Sequence, residues 1–170
     1  RARGIFGKVS KKIIEGSSPD MRILEVSVEE KATGEITAGA GIGTDGTAFM
    51  AAIKENNWLG RGIQLSTQLN LSTNSVNGFL NINNPNFNYS GNSVYGSVSL
   101  SSSDYTKSSG YETSKTGFSL GTGFEQYEDV FLSPGLSLTL EDIEVESTAS
   151  SKIKKMAGNY FNLDFDYTLT

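Results

Sequence analysis

The sequence has no cysteine and no histidine, only three prolines, and a single tryptophan. Without cysteine there is no disulfide framework, no thiol nucleophile and no thiolate-bound zinc. Without histidine the commonest general base and metal ligand is gone. Basic residues are also in deficit: 14 Lys and Arg stand against 19 Asp and Glu, a formal charge of −5. No Arg/Lys stripe offers a footprint for nucleic acid. Long apolar runs are missing too, none approaching the ~20 residues of a membrane-spanning helix. The opening "RARGIFGKV" has no apolar core after its charges, so no signal peptide is expected, and the 170 residues read as a mature or truncated piece. The hydrophobic fraction, 36%, is low for a soluble domain of this size but ordinary for a sheet with one wet face.

What is present is alternation. In "GIQLSTQLNL", Ile63, Leu65, Leu69 and Leu71 fall on one side, with Thr67 among them, and Gln64, Ser66, Gln68 and Asn70 on the other. That period of two is the strand signature. "VNGFLNINN" and "SVYGSVSLS" continue it, and "YFNLDFDYTLT" sets Phe161, Leu163, Phe165, Tyr167 and Leu169 against Asn162, Asp164, Asp166 and Thr168. "SKTGFSLGTGF" and "DVFLSPGLSLTLEDI" are weaker versions; Pro134, which lacks a ladder donor, suggests a bulge or strand start there. No stretch has a helical period, and "SSKIKKMAG" allows one short turn at most. The body is expected to be all β.

The connections alternate in character. "GTDGT", with Asp45-Gly46 supplying positive φ, reads as a tight hairpin, and "STNS", "SSDYTKSSGYET" and "ESTASSKIKKMAGN" are polar. Between them lie "NNWLGRG", "NPNFNYSGN" and "FEQYED", each with an aromatic residue. In an up-and-down sheet the polar connections share one end and the aromatic ones the other, which is the layout of a membrane barrel with an interfacial aromatic girdle. An indole at the centre of "ENNWLGRG" then suits the head-group level. A soluble sandwich also alternates. Against it, the strands look close to the ~9–11 residues that cross a bilayer obliquely, and the second face is Asn, Ser, Gln and Thr with few charges.

Residues 1–33 differ, being dense in Lys and Glu. Val9, Ile13 and Ile14 form one apolar run and Ile23, Leu24, Val26 and Val28 another, separated by "EGSSPD". This predicts a charged β-hairpin with a face built to pack on something else, and a boundary at "KATGE", so that a second unit covers 34–170.

The order "VEEKATGEITAGAGIGTDG", "ENNWLGRG", "NPNF" resembles the BamA-type outer-membrane assembly factors, also called the bacterial surface antigen family. The match is specific from Val26 to Phe87 and looser beyond Gly91. It implies an antiparallel up-and-down transmembrane β-barrel segment: residues 1–33 as the C-terminal hairpin of a periplasmic POTRA domain, and 34–170 as about the first eight strands of a sixteen-stranded barrel. The implied function is folding and inserting β-barrel proteins into the bacterial outer membrane. Outer-membrane lipids, unfolded β-barrel clients and accessory periplasmic lipoproteins are the implied partners; nucleic acid is not one. The family's Arg-Gly-aromatic loop motif, its last barrel strand and the upstream POTRA repeats are absent from these 170 residues.

A closed barrel leaves no free strand edge, and opening its seam would expose one for a client strand to pair with. The first barrel strand, "GEITAGAGIG", suits a seam: Glu35, Thr37, Gly39, Gly41 and Gly43 share one face, and the glycines bring no side chains to lock packing. A barrel bend or close packing explains those glycines equally well. Asn57, Trp58, Leu59, Gly60, Gly62, Pro85 and Phe87 are the candidate residues of the periplasmic, interfacial turns. Other patterns carry no chemistry. Gly39-x-Gly41-x-Gly43 has the wrong spacing for a dinucleotide loop and no helix after it. Glu141, Asp142, Glu144 and Glu146 lack the Gly-bearing loop of a calcium site. Lys152, Lys154 and Lys155 read as a charged loop, with lipopolysaccharide phosphate as the sharper alternative. The Asn70 and Asn88 glycosylation patterns have no bearing in a bacterium. No catalytic residue, cofactor or metal site is expected, so the chain is not expected to be an enzyme. The competing expectations are a two-partner secretion transporter of the same superfamily and a plain porin or adhesin, the last disfavoured by the charged hairpin.

Overall fold

The computed structural model describes residues 5–18, 20–43 and 46–170. Two sheets are present among them. β1 (Phe6–Glu15) and β2 (Arg22–Glu30) pair as an antiparallel hairpin. The other sheet has eight strands, each antiparallel to its sequence neighbour: β3 (Gly34–Gly43), β4 (Gly46–Trp58), β5 (Ile63–Ser72), β6 (Ser75–Asn84), β7 (Ser93–Asp104), β8 (Tyr111–Tyr127), β9 (Val130–Val145) and β10 (Gly158–Leu169). β3 and β10 are its two edges. Two single-turn helices, α1 (Thr106–Ser109) and α2 (Ser151–Lys154), lie in the β7–β8 and β9–β10 connections.

The register settles which residues share a face. Leu65 pairs with Ile82, Leu80 with Val98, Phe118 with Leu138 and Leu138 with Leu163. One apolar face therefore runs unbroken across the sheet. On the other face Gln64 pairs with Asn83, Asn77 with Ser101, Ser97 with Ser119 and Ser119 with Ser137. Those side chains bond to one another: Asn83 Nδ2 donates to Gln64 Oε1 (3.1 Å), Ser101 Oγ to Asn77 Oδ1 (2.6 Å), and Lys115 Nζ meets Glu141 Oε1 (2.9 Å). Such ladders suit a polar, sheltered surface.

No second layer covers the apolar face. Among the described residues Ala149 alone is a buried hydrophobic, while Leu80, Leu163 and Phe165 stand 44%, 58% and 71% exposed. A sandwich would bury these side chains between its sheets, so that alternative fails. The hairpin is equally bare: Val9, Ile13, Leu24, Val26 and Val28 line one face of β1–β2, and Leu24 and Val26 remain more than half exposed.

Several expectations are corrected. β8 extends three residues beyond "SKTGFSLGTGF" at each end, whereas β9 matches its segment to within two residues. β9 continues through Pro134, which faces Tyr167, with one register to β8 on either side, so no bulge or strand start lies there. The polar β7–β8 connection contains α1, which has no apolar period to betray it. "ENNWLGRG" is not all turn: β4 extends through Trp58. The tight turn expected at "GTDGT" centres on residues 44 and 45, outside the described residues; beside them Gly43 pairs with Gly46, whose φ is +99°. Pro19 of the hairpin turn also lies outside the described residues.

Candidate functional site

The antiparallel order sends the β4–β5, β6–β7 and β8–β9 connections to the end at which residues 31–33 enter β3, here called the linker end. The polar connections share the far end, as the alternation predicts. The candidate residues thus fall into two places, the edge strand β3 and the turns of the linker end.

β3 pairs only with β4, from Gly34↔Glu55 to Gly43↔Gly46. An antiparallel strand bonds one neighbour through alternate residues, so every second residue of β3 aims its N–H and C=O away from the sheet. Glu35, Thr37, Gly39, Gly41 and Gly43 share the polar face with Lys54, Ala52, Met50 and Ala48. Ile36, Ala38, Ala40 and Ile42 take the apolar face, with Ile36 80% and Ile42 89% exposed. A Cβ on Gly41 or Gly43 would meet nothing within 4 Å, and on Gly39 only the Met50 methyl at 3.9 Å. Close packing within this chain is therefore not what places glycine there. The start of the strand is held more firmly. Asn56 donates twice to the Thr33 carbonyl, from its backbone N–H (3.2 Å) and from Nδ2 (3.1 Å). The Glu55 carboxylate folds over Gly34, its Oε2 2.8 Å from where a Cβ would stand.

At the β4–β5 turn the register changes by one residue between Glu55 and Trp58. This bulge has a specific effect. With unbroken alternation Trp58 would join Lys54 on the polar face; the extra residue flips it to pair with Ile63, on the apolar side. Asn57 staples the turn, accepting from Gly62 N–H through Oδ1 (2.7 Å) and from Gly60 N–H through its carbonyl (2.9 Å). Leu59, Gly60 and Gly62 have φ of 57°, 70° and 68°. Glycine suits two of these left-handed positions; Leu59 adopts the third against its preference and stands 74% exposed.

The β8–β9 turn repeats the device. A second register change, between Glu125 and Tyr127, carries Tyr127 from the parity of the polar face to a pair with Val130, on the face of Leu132. In the β6–β7 connection Asn84 Oδ1 accepts from Asn86 N–H across Pro85 (3.1 Å), and Asn86 Oδ1 accepts from Gly91 N–H (2.8 Å). This scaffold holds Phe87 and Tyr89 outward, 52% and 92% exposed. All three linker-end connections therefore present aromatic side chains, two of them turned onto the apolar face by a bulge. The aromatic content was legible in the sequence. The bulges were not, because their signal is an extra backbone residue rather than a residue type.

The candidate calcium carboxylates alternate along β9: Glu141 shares the polar face with Lys115 and Asp142 takes the opposite face, so they do not converge.

The Omp85 superfamily domain model matches residues 57–170 of the chain. In fold the chain is similar to the crystal structure of BamA from Haemophilus ducreyi lacking POTRA domains 1-3, with a TM-score of 0.73 and 22% sequence identity. The likeness covers 99% of this chain and 35% of that one, so the chain spans about a third of the length of the structure it matches. An eight-stranded antiparallel sheet plus a separate hairpin is thus the architecture of a BamA barrel segment.

Proposed function

This chain belongs to the Omp85 superfamily, and on that premise we propose that it is the first half of the barrel of an outer-membrane assembly factor, which folds and inserts β-barrel proteins through a lateral seam at β3. As a barrel segment of that superfamily its place is the outer membrane. The apolar face then meets lipid and the Ser/Asn/Gln face lines an aqueous lumen, because strands cross a bilayer only as part of a closed barrel. β1–β2 is read as the C-terminal hairpin of a periplasmic POTRA domain, which makes the linker end periplasmic. The bare apolar face of that hairpin supports this, since a two-stranded sheet needs a further layer to be stable in water.

One observation carries the functional reading. β3 is an edge strand whose face opposite the apolar one is Glu, Thr and three glycines, with empty space above Gly41 and Gly43. Pairing at such an edge rests on backbone hydrogen bonds with little side-chain support, so a partner strand can leave and an unfolded client strand can take its place by β-augmentation. Exchange of strand partners makes and breaks no covalent bond, so the reading needs no catalytic residue and no cofactor. Clients and periplasmic lipoproteins are the partners it calls for.

The test uses the full-length parent. Cysteines at Ala40 and at the facing position of the last barrel strand, oxidised to a disulfide, should stop client insertion, and reduction should restore it. Normal insertion by the locked protein would refute seam opening. A secretion transporter of the same superfamily would instead pass its partner through the lumen and keep working when locked.

A further inference from the structure

At the linker end a groove of about 530 Å³ separates the β4–β5 turn from the β6–β7 connection, with Arg61 on one side and Phe87 and Tyr89 on the other. Its floor includes Ile63 and Asn84. Both belong to the apolar face: Ile63 has the parity of Leu65, and Asn84 that of Ile82. The groove therefore opens outward, at the margin of the apolar band, and not into the lumen. No carboxylate lines it. Among the described residues the Arg61 guanidinium makes no ion pair or hydrogen bond.

From this arrangement we propose that the groove binds the phosphodiester of an anionic glycerophospholipid in the leaflet at the linker end, with Arg61 as the phosphate ligand. The inference rests on the membrane-barrel reading above and adds a ligand and a residue to it. A planar guanidinium takes phosphate oxygens through two parallel N–H donors, and does so best where water is partly excluded. Phe87 and Tyr89 supply apolar surface beside it, and the tyrosine hydroxyl suits the level where acyl chain gives way to head group. Backbone bonds from Phe87 N–H to the Asn92 carbonyl (2.7 Å) and from Tyr89 N–H to the Asn86 carbonyl (3.2 Å) hold the aromatic side of the groove before any lipid arrives. The Asn57 staple fixes the side that carries Arg61. A site held open by its own turns loses little freedom on binding.

The experiment takes the full-length protein, stripped of lipid in detergent, and titrates it with phosphatidylglycerol while native mass spectrometry counts the lipids retained. The wild type should hold one lipid that Arg61→Gln holds at least about tenfold more weakly, as loss of a charge-assisted pair implies. Arg61→Lys, a point charge without the fork, should fall between them. Tyr89→Ser, which leaves the turn backbone intact, should weaken the same lipid to a smaller degree. Equal retention by wild type and Arg61→Gln overturns the proposal. So does displacement of the lipid by inorganic phosphate at matched concentration, which would mark a site for free anion. A bimane label on Leu80→Cys, probed with brominated lipid, separates the two readings. If Leu80 is not quenched, the membrane face itself is wrong; if it is quenched while Arg61→Gln binds as wild type, only the head-group site is.

Discussion

On the lumen face one row crosses five strands as Asn83, Tyr95, Gly121, Gly135 and Asp166. The Tyr95 ring lies directly over Gly121 and its hydroxyl reaches Gly135, where it shares space with the Asp166 carboxylate. A Cβ at Gly121 would fall on the ring and come 2.7 Å from the Pro134 carbonyl oxygen. Two terms therefore compete in Gly121→Ala. The backbone there is compatible with alanine, so restricting the unfolded chain should stabilise by about 0.4–1 kcal/mol. Overpacking a filled position costs about 1–3 kcal/mol. The steric term is the larger, and the expected result is a net loss of about 1–2 kcal/mol. With Tyr95→Ala already in place the ring is gone and only the contact with the Pro134 carbonyl remains, so Gly121→Ala should cost less than in the wild type, a coupling of about 1 kcal/mol or more. Gly41→Ala on the same face is the control: with nothing within 4 Å of its Cβ, only the entropy term remains and the variant should gain about 0.4–1 kcal/mol. The assay is reversible urea unfolding of the full-length protein in micelles, followed by heat-modifiable mobility and fluorescence. If Gly121→Ala and Tyr95→Ala add within about 0.5 kcal/mol, the ring does not depend on the glycine and the reasoning is wrong.

Two further outcomes follow from the same geometry. With Trp58 left as the sole tryptophan of the full-length protein, its fluorescence should be quenched by brominated lipid in preference to aqueous acrylamide; the opposite preference would place the indole on the polar face and refute the role of the bulge. Gly110 sits at φ +76° with the Ala149 Cβ 3.0 Å from its own would-be Cβ, where the β7–β8 and β9–β10 connections meet. Gly110→Ala should therefore cost about 1–2 kcal/mol locally and speed protease cleavage near Glu146–Ser151, while the urea midpoint of the barrel barely moves.

How much of this the sequence disclosed depends on where each residue meets its surroundings. Strands β5, β6, β7 and β10 are legible because one face is apolar along most of their length, so period two survives in the residue types. β8 and β9 are legible only in their middles. Toward the far end Ser114 faces Asp142 and Glu112 faces Glu144 on what is, further in, the apolar side. There the strands have left the apolar band, both faces are polar, and alternation disappears although the ladder continues. The site divides in the same way. Tyr127 and Phe87 could be seen as aromatic residues in connections, and the glycines of β3 as a face without side chains. That Trp58 and Tyr127 are turned outward by bulges, and that Arg61 stands across a groove from Phe87 and Tyr89, depends on register and on three connections meeting at one end. No local pattern reports that.

The two edges of the sheet are not equivalent, and the difference bears on which of them suits the proposed seam. Across β9 and β10 the apolar face stacks Leu140 on Phe161, Leu138 on Leu163, Leu136 on Phe165 and Leu132 on Leu169. Across β3 and β4 it offers Ile36 on Ile53, then Ala38 on Ala51 and Ala40 on Phe49. Large cross-strand pairs contribute about 0.2–1 kcal/mol each over Ala–Ala, so β10 carries a side-chain increment of about 1–4 kcal/mol that β3 mostly lacks. Its large side chains on the lipid face also offer the next strand of the barrel the same stacking, whereas a strand laid against β3 would find Ile36 and Ile42 separated by two alanines there, and bare glycines on the lumen side. The proposed seam, which would have to close to keep the barrel whole and open to admit a client, is therefore better placed beside β3 than beside β10. At its linker end, however, β3 is fastened by the two Asn56 bonds to the Thr33 carbonyl. An opening that starts at the far end, around Gly41 and Gly43, would free the outer edge of the strand while leaving its attachment to the β1–β2 hairpin undisturbed.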